Sequence, residues 1–394
     1  MNETSAGVVL VVGAEPAAFS CCFELLEAGI QVHHAYPEPL GLHGSSRDIG
    51  LAYPELGEPW ERLEYALGEE IALELHRWSR AGVESLLRRA PELVQRGSRL
   101  AVARTEQESR LLSEDALKRS RPPVNDELRL MSGPAVSNFA PVHAAVLGSF
   151  ETHAVAFAPV PVLEHLAQAL NKNRNYRGVP VGPNWLQSKV VCDQEGVKML
   201  SPETCARGDI AIVSAGLQTR DLLDKFHKCL IPISGQAFRS QPLKEKLRSS
   251  VLGVTASWGY ERYRFDEDYR LLGCGVDPSG GGGGAGTNVE PKSMSKFLNR
   301  AADLFVDFDA TTEEETMRWG IEFDGTCDGL PILGALIGEP RIQVACGFGL
   351  AAWSRGWEAG RRIALNITSA ENGERSALLP RCSQSRFELG KSRA

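Results

Sequence analysis

The stretch GAEPAAFS, Gly13 to Ser20, follows the apolar run Val8–Val12. A glycine between a buried strand and a helix lets a phosphate approach bare backbone, and the helix N-terminus favours its charge. The chemistry on offer is therefore diphosphate binding, as part of a dinucleotide. Two of the three glycines of such a turn are replaced: Glu15 stands at the second place and Ala18 at the third. Ala18 is a mild change. Glu15 puts a side chain and a negative charge where a phosphate would approach. Two like charges about 4 Å apart repel by roughly 4 kcal/mol at an effective dielectric near 20. That is about three decades of affinity and an upper bound, because the side chain has room to turn toward solvent.

Other residues carry weaker signals. Arg47, in GSSRDIG, is a candidate anion ligand or a surface loop residue. Trp258, Tyr260 and Tyr263 recur along a β-type segment, where they line a ligand pocket or pack in a sheet. Asp328, in CDGLP, reads as a turn former, because Asp-Gly before an apolar run is a standard turn signal. His33 and His34 end a strand and read as packing residues, and His143 and His153 have no evident partner. The nine cysteines show no CxxC pair, so no metal site is expected. No residue is assigned a catalytic role.

These residues need strands and helices to hold them. The run at residues 7–13 suits a central parallel strand, buried on both faces. Pro16 fits the first turn of a helix that ends near Gly29, and a second strand follows to Tyr36. This opening is a βαβ unit. Two more strand–glycine–helix patterns occur, one through Ala215 and Gly216 and one through Gly347, Phe348 and Gly349. Residues 58–95 read as mostly helical and 229–275 as β-rich. The glycine run at 278–288 is a loop without the Lys-Ser/Thr ending of a phosphate cradle.

The order of four segments makes the chain resemble the D-amino-acid oxidase/sarcosine oxidase/glycine oxidase family of FAD-dependent oxidoreductases. The segments are the βαβ opening, GSSRDIG (44–50), DIAIVSAG (209–216) with IPISGQ (231–236), and WGIEFDGTCDGLPILG (319–334) leading to VACGFGLAAW. The resemblance runs from about residue 7 to 370. It implies an α/β fold: a discontinuous Rossmann-like FAD-binding domain with an inserted β-rich α+β substrate domain. The expected divisions are 1–90, 155–225 and 325–372 for the cofactor, 91–154 and 226–324 for the substrate, and a polar tail at 373–394. It also implies FAD held by Gly13, Ala14, Ser45, Ser46, Arg47, Ala215, Gly216, Gly347, Phe348 and Gly349. The expected activity is oxidation of a C–N bond in an amine or amino-acid-derived small molecule.

The chain departs from the family at several places. Tyr36 holds the position of the acid that grips the ribose, with Glu38 two residues on. Leu350 and Ala352 fall on glycine positions of the C-terminal turn. Phe323 stands where amino-acid-oxidising relatives carry a carboxylate-binding arginine, which places it, with Tyr260 and Tyr263, among the substrate candidates. A second reading follows from these departures: a flavin-free pseudo-oxidase serving as a binding or partner protein. The net charge of −7 and the absence of a basic block argue against nucleic acid. No apolar run reaches about 18 residues, so no membrane segment is expected. The scattered cysteines suit a cytoplasmic location.

Overall fold

The computed structural model describes residues 7–370 apart from 43, 55–58, 144, 145, 147, 244–249, 277–287, 307 and 312–315. The polar tail 373–394 and all of the 278–288 glycine loop but Asn288 lie outside the described residues.

The opening folds as its pattern requires. Val8–Val12 is a strand, Pro16–Glu27 a helix with proline in its first turn, and Gln31–Pro37 the next strand. Val8–Val12 pairs in parallel with Gln31–Pro37 on one side and Ile210–Val213 on the other. The sheet has six strands. In spatial order they are Ile332–Leu336, Glu339–Cys346, Ile210–Val213, Val8–Val12, Gln31–Pro37 and Tyr176–Val181. Only Ile332–Leu336 runs antiparallel to its neighbour. The central strand is fully buried from Val9 to Val12, which explains its unbroken apolar run.

Two long helices cover one face of this sheet. Pro16–Glu27 packs against Ala352–Ala370, and Glu69–Arg89 packs against that same helix. The first pair approaches so closely that a Cβ on Gly360 would lie 2.3 Å from the Ala17 carbonyl oxygen. Only glycine allows that approach. The Ser20 hydroxyl and the Cys21 thiol then reach the Trp357 and Gly360 carbonyls at 2.6 and 3.2 Å.

A second, nine-stranded sheet contains Met317–Gly325, Ile231–Pro242, Arg270–Val276, Glu261–Phe265, Gly253–Ala256, Val94–Ala103, Gly148–Phe157 and Leu51–Ala52 in that order, with Arg129–Ser132 beside Gly148–Phe157. One face carries the helix Pro291–Leu304, through Met294, Phe297, Leu298 and Ala301. A small antiparallel sheet, Lys189–Asp193, Gly196–Leu200 and Cys205–Gly208, completes the fold. Among the described residues no helix is long and apolar enough to cross a membrane.

Candidate functional site

Three turns meet at the C-terminal ends of the parallel strands. Gly13 has φ +124°, and a Cβ there would lie 1.9 Å from the Ser214 carbonyl oxygen, so the turn requires glycine. Its N–H donates to the Ala35 carbonyl at 2.8 Å. Its own carbonyl faces His34 Nε2 at 2.7 Å, and His34 Nδ1 lies 3.0 Å from the Tyr176 hydroxyl. Burial lowers the His34 pKa to about 4, so the ring is neutral near pH 7. A carbonyl only accepts, so Nε2 donates to Gly13 and Nδ1 accepts from Tyr176. His34 is thus a brace beneath the glycine turn, and Tyr36 leans on it at 5.1 Å between ring centroids.

Glu15 turns inward rather than toward solvent and is 6% exposed. Its Oε1 accepts from the Ser45 N–H at 3.2 Å. A Cβ on Gly44 would lie 2.0 Å from this oxygen, and one on Gly216 would lie 2.9 Å from it. The carboxylate therefore sits among the Gly13, Gly44–Arg47 and Ala215–Gly216 turns. Burial pushes its pKa up, hydrogen bonding from Ser45 opposes this, and the charge of Asp48 adds to it. A second buried acid, Asp324, accepts from the Gly347 N–H at the C-terminal turn. Burial and then the Glu15 charge push Asp324 up to about 8, so it holds a proton near pH 7. Asp324 went unnoticed in the sequence. The signal available there is an acid directly after the apolar Phe323 and before Gly325.

The loop Gly44–Arg47 is a short 3-10 turn held by its surroundings. The Ser45 carbonyl accepts from Trp353 Nε1 at 2.9 Å, and the Arg47 carbonyl accepts from Trp319 Nε1 at 2.8 Å. Ser46 is buried and, with Ala14 and Ala215, borders a cavity of about 20 Å³. Arg47 donates from Nε to the Gly320 carbonyl at 3.1 Å, which commits that nitrogen to the neighbouring strand. Next in the chain, Asp48 forms a two-pronged ion pair with Arg262, both contacts 3.0 Å.

FAD would need room for its diphosphate among these turns. The Glu15 carboxylate fills that room, and the 20 Å³ beside it holds about one water. With Glu15 seated at the Ser45 N–H, a diphosphate entering there would meet its carboxylate. Glu38, the other candidate ribose ligand, is exposed at the strand end. The glycine turns themselves keep the backbone such a cofactor uses: Gly216, Gly347 and Gly349 have φ of +56°, +78° and +55°.

In front of the C-terminal turn lies a cavity of about 500 Å³. Tyr53, Trp258, Tyr260, Phe348 and Leu350 give it apolar walls, Arg62 and Arg355 bring positive charge, and Asp328 a carboxyl. Of the three expected substrate residues, only Tyr260 borders it. Tyr263 is wholly buried in the core of the second sheet, stacked on Phe297 at 5.6 Å with its hydroxyl donating to Glu261 at 2.8 Å. Tyr260 and Tyr263 are three residues apart at the start of the strand Glu261–Phe265, and this odd spacing puts them on opposite faces. Phe323 is also corrected: it is buried beneath the Arg262 guanidinium, 5.7 Å from its ring centroid. Leu350 does fill space at the turn, and its carbonyl accepts from Arg262 at 3.3 Å. Ala352, at the other replaced glycine position, is buried where the last helix begins. Asp328 is a turn former, accepting from the Leu330 N–H at 3.2 Å. Among the described residues no cluster suited to a metal is found.

The solved structure of glycine oxidase from Geobacillus kaustophilus is similar, with a TM-score of 0.74 at 18% identity over 96% of this chain and 98% of that one. Iminodiacetate oxidase from Chelativorans sp. BNC1 gives 0.74 at 15% over 95% and 98%. L-proline dehydrogenase from P. horikoshii gives 0.73 at 13% over 98% and 99%. At these identities the likeness is one of fold. No curated protein matches the chain. The model of the DAO family, described as FAD dependent oxidoreductase, matches residues 9–365. By that match, over nearly its whole length, the chain belongs to the DAO family of FAD-dependent oxidoreductases.

Proposed function

We propose that this chain is a C–N oxidoreductase acting on a small amine or amino-acid-derived molecule held in the front cavity. The observation that carries this reading is the 500 Å³ cavity against the Gly347–Gly349 turn, in a chain of this family. Its size suits a small organic molecule. The aromatic walls suit the apolar part of a substrate, and Arg62 and Arg355 suit one that carries a carboxylate. Tyr53, Trp258 and Tyr260 orient it by contact. Oxidation by way of FAD requires the Glu15 carboxylate to leave the diphosphate slot first.

A second reading is favoured by Glu15 itself. With the slot filled by a side chain, the protein works as a flavin-free binder of a small molecule in the same cavity. One experiment separates the two. The purified protein is examined for flavin absorbance with and without excess FAD, then assayed with a panel of small amines and amino acids for acceptor-coupled turnover. Flavin uptake with turnover supports the oxidoreductase. A colourless protein that ignores FAD, yet is stabilised by a member of the panel, leaves the binding reading.

A further inference from the structure

We propose that Glu15 is a built-in occupant of the diphosphate slot, so that a dinucleotide binds this chain only by displacing it. The inference does not rest on amine oxidation and concerns the slot alone. Three loops distant in sequence converge on one carboxylate: residues 13–15, 44–47 and 214–216. Oε1 takes the Ser45 N–H, a backbone donor facing into the slot. The clearances at Gly44 and Gly216 show how closely the carboxylate is enclosed, since a single added methyl on either would collide with it. Glu15 borders a cavity of about 20 Å³. The chain thus supplies from its own side chain what a bound phosphate would supply from outside: an anion, an acceptor for the loop N–H and the volume that keeps the turns apart.

The neighbouring charges fit this role. Burial and the Glu15 charge push the Asp324 carboxyl up to about 8, so near pH 7 it adds little charge beside Glu15. Asp48 is neutralised by Arg262. A dinucleotide entering beside a seated Glu15 would meet both its bulk and its charge, whereas one that displaces Glu15 inherits a ready-made site.

The test uses ADP, which carries a diphosphate but no redox ring, with calorimetric titration and thermal melting of the full chain. For the unaltered protein the expected result is no saturable binding below millimolar ADP. For Glu15→Gly we expect a lower melting midpoint without ligand, binding at least tenfold tighter, and recovery of the midpoint with ADP. Glu15→Gln keeps the volume but removes the charge, so it is expected to bind ADP more tightly than the unaltered protein and more weakly than Glu15→Gly. Tight ADP binding by the unaltered protein, at micromolar concentration, overturns the proposal whatever the variants do. So does a folded Glu15→Gly protein that gains nothing. A failure of amine turnover would leave these results untouched, and loss of the slot proposal would leave the turnover assay untouched.

Discussion

Replacing Arg262 with Met removes half of an ion pair that is closed off from water. Both side chains are 2% exposed, and two 3.0 Å contacts join the guanidinium to the Asp48 carboxylate. Arg262 also donates to the Leu350 carbonyl. Met fills most of the arginine stem's volume, so the loss is mainly electrostatic. Breaking a buried pair from one side costs about 3–5 kcal/mol, because the partner charge is left uncompensated. Burial already pushes the Asp48 pKa up and the Arg262 charge is the chief opposing influence, so Asp48 takes up a proton in the variant. The remaining cost is then the lost hydrogen bonds plus that protonation, still about 3 kcal/mol. The double variant Asp48→Leu/Arg262→Met leaves no orphan charge, and its cost should fall well below the sum of the two single costs. Urea unfolding followed by tryptophan fluorescence measures all three, with the slope checked for constancy. A cost under about 1 kcal/mol for Arg262→Met, or strict additivity in the double variant, would refute the reasoning.

The Asp324 carboxyl titrates at about 8 in the fold against 3.8 for the ordinary group. A raised acid contributes stability that is complete below the lower value and is lost as pH rises through the upper one. Between pH 6 and 8 the unaltered chain should lose about 2–3 kcal/mol from this group, whereas Asp324→Asn should show a flatter curve; parallel melting curves would contradict this. Tyr263→Ala should cost about 3–5 kcal/mol of stability as a large-to-small core change. Tyr260→Ala should move the melting midpoint by only a few degrees and weaken whatever ligand the panel identifies, and equal destabilisation by both would argue against the assignment of Tyr260 to the cavity. Gly360→Ala forces a methyl against the Ala17 carbonyl and should cost about 1–3 kcal/mol through overpacking; an unchanged midpoint would show that the two helices separate freely.

Much of the frame is legible in the sequence because it depends on local patterns. The Val8–Val12 run, Pro16, and the glycines at 216 and 347 each mark a strand, a helix start or a turn without help from distant residues. Asp328 reads correctly for the same reason, since its hydrogen bond spans two residues. The side-chain directions at the site are a different matter. Glu15 has two directions open to it, and only the meeting of residues 44–45 and 216 decides for the inward one. Asp324 finds its partner at Gly347, and Asp48 finds Arg262 at 214 residues' distance. Tyr263 was misplaced because three residues separate it from Tyr260, an odd number, so the alternation of side chains along a β segment turns the two rings to opposite faces.

The contact between the Pro16–Glu27 and Ala352–Ala370 helices bears on how the chain is made. The Pro16–Glu27 helix has its apolar side ready as soon as it is made, yet the surface it must cover is encoded some 330 residues later. At about 5–20 residues per second, that interval lasts about 16–66 s. Over this period Phe19, Leu25 and the thiols of Cys21 and Cys22 lack their final cover, and the strand Val8–Val12 waits for Ile210–Val213. The unit formed by residues 7–36 is therefore sealed long after it is made, with the Cys21 and Cys22 thiols uncovered in the interval.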